Sequence, residues 1–177
     1  MNFRHFLRAG LLACALLAQS AYADEPGAEA PQAGYGVAGD DGGIQQILER
    51  AQELVGIRYR RFGDRPQTGF DCSGFVDYVF REGAGLILPH ASREISRTGT
   101  PVAKGELEPG DLVFFRTLRH AFSHVGIYLG DHLFVHAPRS GERVRIDSLQ
   151  RHYWAKRYNG ARRLLGGVAS AEGDAQR

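Results

Sequence analysis

Apolar positions divide residues 44–166 into a helical half followed by an extended half. In the first half, "IQQILERAQEL" and "FVDYVF" place large apolar residues at helical spacing. Gly56 follows the first run, and Gly83 and Gly85 follow the second, so these glycines are expected to end the two helices. The segment "ASREISRTG" predicts a short third helix.

After "EPGD" the pattern becomes extended, with short apolar or alternating runs separated by Gly, Asp, Pro and Ser. These runs predict consecutive antiparallel strands, which cover residues 112–115, 124–129, 133–137, 143–146 and 161–165. Helices followed by strands are typical of an α+β fold. We therefore expect N-terminal helices packed on one face of an antiparallel sheet of about five strands.

Both ends of the chain differ from this domain. Residues 1–23 have two arginines, the apolar run "LLACALLA" and a final "AYA", which is the layout of a secretory signal peptide. Residues 24–43 are rich in Gly, Ala, Pro and acids and predict a flexible linker. Residues 167–177 predict a disordered polar tail, which leaves 44–166 as the single folded domain.

The leader predicts export to the periplasm, with cleavage after Ala23. Cys14 keeps an alternative open, because "LLAC" also fits the lipidation box of a lipoprotein held at the outer membrane. Against lipidation, little apolar sequence precedes Cys14 and the apolar run continues past it. Membrane attachment is expected only if Cys14 is lipidated.

The net charge of the whole chain is only +2, but acidic residues concentrate in the ends and leave the domain basic. A basic domain suits an anionic polymer such as a cell wall or a nucleic acid, and equally a solvated surface without a partner. Export makes nucleic acid the poorer expectation.

With the leader removed, Cys72 is the one cysteine left in an oxidising compartment. Such a cysteine is either an inert core residue or a reactive thiol. Asp71 is a natural N-cap, so Cys72 should lie in the first turn of the second helix, where unpaired N–H groups and the helix dipole lower the pKa of a thiol. The same N–H groups can stabilise an oxyanion.

His124 and His136 each lie at the end of a predicted strand, in a hairpin with its turn near Gly130. A two-residue loop would leave the two imidazoles on opposite faces of the sheet. A three-residue or bulged connection would place both on one face, with Gly126 opposite His136. A joint functional role therefore predicts an odd-numbered or bulged connection.

Four ordered motifs resemble the NlpC/P60 family of cell-wall cysteine peptidases. They are "DCSGFV" at 71–76, "PGDLVFF" at 109–115, "HVGIYLG" at 124–130 and "FVHA" at 134–137. The runs "DCSGFVDYVFREGAGLILP" and "YWAKRYNGARRLL" further resemble murein endopeptidases of the Spr type. The resemblance covers about 44–165 and implies a papain-like fold.

The resemblance to the NlpC/P60 family implies that Cys72 is the nucleophile, His124 the general base and His136 the residue that orients the base. It also implies that Tyr59 helps to form the oxyanion and substrate pocket, and that Asp71 and Ser73 contribute to substrate recognition. The sequence departs from the family pattern at Phe62, which stands before a single glycine, and at His90, where the family often has Arg. Both departures bear on the shape of the substrate groove.

The implied substrates are peptidoglycan stem peptides, cleaved by a monomer without metal or cofactor. The Spr-type likeness favours the D-Ala to meso-diaminopimelate cross-link, whereas the wider family mostly cuts D-Glu to diaminopimelate. Such enzymes are typically restrained by an adaptor or by proteolysis. The alternatives are a non-catalytic wall-binding module, a cysteine acyltransferase on a related fold, and a zinc site of Cys72, His124 and His136.

Overall fold

A computed structural model describes residues 41–166. The predicted signal peptide, most of the predicted linker, Cys14 and the predicted tail at 167–177 lie outside the described residues. The first helix begins at Asp41, inside the segment that the sequence assigned to the linker. Among residues 41–166, none of the helices has the length and apolar character needed to span a bilayer.

Four α-helices occur in this part of the chain: α1 (Asp41–Glu53), α2 (Cys72–Ala84), α3 (Ser92–Ile95) and α4 (His152–Ala155). α2 ends at Gly85, which adopts a left-handed φ of 68° and donates its N–H to the carbonyl of Arg81, while the amide of Leu86 donates to the carbonyl of Phe80. Gly83 does not end the helix as the sequence predicted. It lies within α2, where an added Cβ would be 2.8 Å from the backbone nitrogen of Ile47, so it lets α1 approach closely.

The strands form a short hairpin and one larger sheet. The hairpin pairs β1 (Asp64–Arg65) with β2 (Gly69–Phe70). The larger sheet contains β3 (Thr100–Val102), β4 (Leu112–Phe115), β5 (His124–Gly130), β6 (Leu133–His136), β7 (Arg145–Ser148) and β8 (Tyr158–Arg163). Its order is β3-β8-β4-β5-β6-β7, and every neighbouring pair is antiparallel.

The predicted α+β fold is confirmed, with six strands in the sheet instead of about five. The additional strand is β3, a short edge strand that contains Pro101 and carries little hydrophobic signal. β7 and β8 also differ from the predicted boundaries of 143–146 and 161–165, since they cover 145–148 and 158–163.

The β5–β6 hairpin has the bulged connection that a shared role of the two histidines requires. Ile127 pairs with Val135 and Tyr128 with Phe134, and the register then shifts so that Gly130 pairs with Leu133. The two residues of the turn, 131 and 132, both have positive φ, as a type I′ turn needs.

Gly126 fits this register as the sequence predicted. A Cβ at Gly126 would lie 2.8 Å from the ring of Phe134 and 3.1 Å from the Cβ of His136. The absence of a side chain therefore leaves space for the second imidazole. Both histidines consequently lie on the same face of the sheet.

Candidate active site

Local hydrogen bonds fix Cys72 at the first position of α2. Asp71 has extended backbone angles, and its Oδ1 accepts a hydrogen bond from the amide of Gly74 at 2.8 Å. The hydroxyl of Ser73 lies 3.0 Å from the same Oδ1 and donates to the carbonyl of His90 at 2.9 Å. The other oxygen of Asp71 accepts from the amide of Phe62 at 2.9 Å. Asp71 and Ser73 thus connect two neighbouring loops to the start of the helix.

The Cys72 thiol is half-buried, and its acidity differs from the sequence prediction. Burial, followed by the negative charge of Asp71, raises the pKa of Cys72 to about 11. The backbone amides of Val125, Ser73 and Cys72 act in the opposite direction but do not outweigh burial. The prediction of a lowered pKa was wrong because the helix start is packed against the sheet and is not surrounded by water. The resting thiol is therefore neutral.

The two histidines and a buried carboxylate form a continuous hydrogen-bonded chain. His124 Nε2 lies 2.8 Å from His136 Nδ1, and His136 Nε2 lies 3.1 Å from Asp147 Oδ2. Arg145 and Arg151 donate to Asp147 at 2.9 and 2.7 Å. All three members of the chain are buried. It runs across β5, β6 and β7, so it depends on strand pairing.

Asp147 was absent from the sequence-based candidates. The predicted strand ended at residue 146, which left Asp147 outside the sheet. In the structure β7 continues to Ser148, and Asp147 pairs with Phe134 of β6. Since Phe134 and His136 alternate with Val135, the pairing places Asp147 on the face that carries His136. An acidic residue beside a predicted core strand was the available signal.

The electrostatics of the chain favour neutral imidazoles and an ionised carboxylate. Burial lowers the pKa of His124 well below its usual value, and it also lowers that of His136, although Asp147 opposes this. Burial alone would raise the pKa of Asp147, but hydrogen bonds from His136 and Arg145 lower it strongly. A neutral imidazole can accept a proton, whereas an imidazolium cannot.

An ionised Asp147 also determines the tautomers. Because the carboxylate only accepts hydrogen bonds, His136 donates through Nε2–H and accepts at Nδ1. His124 must then donate through its own Nε2–H to His136. Nδ1 of His124 is left with a lone pair, and it has no hydrogen-bond partner in residues 41–166.

Trp154 packs against both histidines. Its ring is stacked on His124, with centroids 5.5 Å apart and an interplanar angle of 22°. It also contacts His136 edge-on at 4.9 Å. The sequence suggested core packing for Trp154, and the side chain is indeed buried, with the two imidazoles among its packing partners. Trp154 therefore restricts the orientation of both rings.

Three of the predicted site residues meet in one cleft of about 420 Å³, a size within the usual range for ligand sites. Tyr59, Cys72 and His124 line this cleft, and burial raises the pKa of the Tyr59 phenol. His136 lies behind His124 and does not line the cleft. Asp71 and Ser73 also do not line it, since their side chains are engaged in the loop contacts described above.

The arrangement does not suit the zinc alternative. Within the described part of the chain there is no cluster of three or more His, Cys, Asp or Glu side chains that could hold a metal ion. Nε2 of His124 and Nδ1 of His136 point at each other, so they do not converge on a common third position.

Cys72 at the start of α2 and His124 of the antiparallel sheet line one cleft, as the papain-like arrangement expected from the resemblance requires. The NlpC/P60 family profile matches residues 56–163. Since this match covers more than half of the chain, the protein belongs to the NlpC/P60 family.

Two relatives come from Escherichia coli strain K12. Murein DD-endopeptidase MepS/Murein LD-carboxypeptidase is 45% identical over 120 residues, which are 68% of this chain and 62% of that protein. Murein DD-endopeptidase MepH is 40% identical over 121 residues, which are 67% of this chain and 45% of that protein. The chain thus spans less than two thirds of the length of either relative.

Among solved structures, a crystal structure of an NlpC/P60 family protein from Bacillus cereus is similar with a TM-score of 0.64 and 33% identity. The similarity covers 69% of this chain and 40% of that one. It agrees with the helices and antiparallel sheet described above.

Proposed function

We propose that this protein is a cysteine peptidase that hydrolyses an amide bond in peptidoglycan stem peptides or their cross-links. The observation that carries the proposal is the shared cleft of Cys72 and His124, with His124 backed by a buried chain to Asp147. A wall-binding module would gain nothing from a thiol beside an oriented base. Cys72 is the nucleophile, His124 the general base, and His136 and Asp147 position the base.

In the resting state both reacting groups are neutral, since burial raises the pKa of Cys72 and lowers that of His124. The thiol proton is transferred to Nδ1 of His124 as the sulfur attacks the carbonyl carbon. The Nε2–H of the new imidazolium donates to His136, which donates in turn to the Asp147 carboxylate. That negative charge stabilises the imidazolium without itself accepting the proton.

The attack forms a C–S bond and moves the carbonyl π electrons onto oxygen. The backbone amide of Cys72 at the helix start and the Tyr59 hydroxyl are the proposed donors to this oxyanion. Collapse of the intermediate breaks the C–N bond, and His124 gives its proton to the leaving amine. A water then adds to the thioester with His124 again as the base, which releases the carboxylic acid and restores the thiol.

The favoured bond joins D-Ala to meso-diaminopimelate across two stem peptides. The names of MepS and MepH, both murein DD-endopeptidases, support this choice over the D-Glu to diaminopimelate bond. MepS is also named a murein LD-carboxypeptidase, so a related cleft acts on more than one bond.

Defined muropeptides test the proposal. The purified domain, incubated with cross-linked dimers and with monomeric stems, should convert dimers into monomers by mass spectrometry. Cys72→Ala, which keeps the fold, should give no product. Release of fragments cut after D-Glu would assign the alternative bond. If dimers and monomers both remain intact, or if the enzyme only transfers acyl groups to added amines, the hydrolase proposal is wrong.

We also propose export to the periplasm, action as a monomer and restraint by an adaptor or a protease. The N-terminus of the protein recovered from the cell envelope tests the first of these. A mature chain that begins at Asp24 supports signal-peptide cleavage, whereas a diacylglyceryl group on Cys14 would assign an outer-membrane lipoprotein.

A further inference from the structure

One part of the cleft carries most of its charge. Arg139, Arg145 and Arg151 line the same cleft as Cys72 and His124, together with a single carboxylate from Glu142. The remaining lining residues apart from His124 are uncharged. A local excess of positive charge in a cleft attracts anionic groups of a ligand.

Arg139 and Arg151 each use one side-chain donor and Arg145 uses two, but only Arg145 and Arg151 contact Asp147. Arg139 donates through Nε to Glu142 at 2.9 Å. Arg145 donates to Glu142 at 2.8 Å and to Asp147 at 2.9 Å. Arg151 makes one hydrogen bond, from Nη1 to Asp147 Oδ1 at 2.7 Å, and its side chain is 65% exposed. Its Nε and Nη2 have no partner among residues 41–166, and these two groups match the two oxygens of a carboxylate.

Arg151 combines unused donors with a connection to His124. His124 must lie beside the leaving amine, because it donates the proton to that nitrogen. Arg151 is linked to His124 through Asp147 and His136, and it immediately precedes α4, whose Trp154 is stacked on His124. Of the two cleft arginines connected to His124 through Asp147, Arg151 retains two side-chain nitrogens that are unpaired in the part of the chain that the structure describes, whereas Arg145 retains one.

We propose that Arg151 binds the substrate carboxylate attached to the carbon that carries the leaving amine. The inference rests on the proposed function. In a D-Ala to meso-diaminopimelate cross-link, the diaminopimelate centre that supplies the amide nitrogen also bears a free carboxylate. The same guanidinium then contacts the substrate and Asp147, so recognition of the leaving residue is directly joined to the positioning of the base.

Binding to an inactive enzyme tests the inference without turnover. In the Cys72→Ala background, calorimetry would compare two cross-linked muropeptides, one with this carboxylate free and one with it amidated. A charge-assisted pair predicts about ten- to hundredfold tighter binding of the free acid. Arg151→Gln should abolish this preference, and Arg151→Lys should retain part of it. Arg139→Gln is the matched control, because Arg139 lines the cleft without touching Asp147, and it should keep the preference.

Steady-state kinetics with Cys72 restored give the second measurement. The kcat/KM ratio between the free and amidated substrates should fall to about one in Arg151→Gln. If Arg151→Gln lowers cleavage of both substrates by the same factor, or if the Cys72→Ala protein binds both equally, Arg151 acts only through Asp147 and the inference is overturned. Failure of the proposed function gives a different result, namely binding of the free acid without cleavage of any muropeptide by the wild type.

Discussion

The two faces of the six-stranded sheet are both buried, but they bury different kinds of residue. The face toward α1 and α2 is apolar. On the sheet it includes Phe114, Val125, Ile127 and Val135, and on α2 it includes Phe80, all at most 1% exposed. These side chains are apolar, so their packing contributes stability through apolar burial.

The opposite face buries aromatic rings together with ionisable groups. Phe115, Phe134 and Trp154 pack around His124 and His136, and Asp147 completes the layer. Polar groups in such a place are costly unless their hydrogen bonds are satisfied. The chain from His124 to the two arginines beyond Asp147 satisfies them and at the same time leaves one nitrogen of His124 free.

This contrast separates the part of the core that maintains the fold from the part that orients the reactive groups. Substitutions on the helix-side face should reduce the free energy of unfolding and spare the chemistry of the folded fraction. Substitutions of His124, His136 or Asp147 should lower the activity of the folded protein and reduce the free energy of unfolding less. Four measurements test this separation.

The largest effect is expected for His124→Gln. Loss of the base should lower kcat/KM by about 10⁴-fold, because the neutral thiol then has no proton acceptor. Gln can still donate an amide N–H toward His136, so the loss of unfolding free energy should be smaller than that of the helix-side substitution below. Muropeptide hydrolysis and urea denaturation measure the two quantities. Turnover within tenfold of the wild type would refute the assignment of His124.

Phe80→Ala is the counterpart on the helix-side face. Removing this fully packed ring from α2 should lower the free energy of unfolding by about 3–5 kcal/mol. Because Phe80 is two helical turns from Cys72, the folded fraction should retain kcat close to the wild type. Ile87→Ala, at a side chain that is 78% exposed, is the control and should change stability little. A large fall in kcat of the folded Phe80→Ala protein would contradict the separation.

Asp147→Asn should reduce kcat/KM on the order of 10²-fold, with most of the loss in kcat. The amide retains the size of the side chain but removes the charge that stabilises the imidazolium. The pKa of His124 should therefore fall further, and the acid limb of the pH–rate profile should shift to lower pH. Asp131→Asn, in the exposed β5–β6 turn, is the matched control. An unchanged pH profile would mean that Asp147 has only a structural role.

Patterns within short segments were sufficient to predict much of the site. The apolar stripe after Cys72 and the capping ability of Asp71 located the start of α2. A joint role of His124 and His136 requires both side chains on one face of the sheet, with the small Gly126 opposite His136. This requirement predicted the bulged hairpin. Each of these inferences depends on neighbours in sequence or on one hairpin, where local geometry restricts the outcome.

The properties missed by the sequence depend on distant segments. Asp147 required the pairing of β6 with β7, and the predicted end of that strand was two residues short. The raised pKa of Cys72 results from burial against β5, which the helix pattern alone does not contain. Trp154 was correctly assigned to packing, but its partners are defined only when α4 is placed over the sheet.

The smallest expected effect concerns stability against pH. Burial lowers the pKa of His124 and His136 in the folded state, so the unfolded chain binds protons more readily as the pH falls. The stabilisation is complete above the usual histidine pKa of about 6.5 and is lost progressively below it. Between pH 7 and 5.5, each histidine whose pKa is lowered by folding should reduce the free energy of unfolding of the wild type by about 1 kcal/mol.

Urea denaturation at the two pH values measures this difference. His124→Gln should show a smaller fall between pH 7 and 5.5 than the wild type, because it lacks one of the buried imidazoles. His120→Gln is the control, since His120 is exposed in the loop before β5, and it should fall as far as the wild type. An equal fall in all three proteins would mean that His124 carries no depressed pKa, and the neutral base in the proposed mechanism would then need revision.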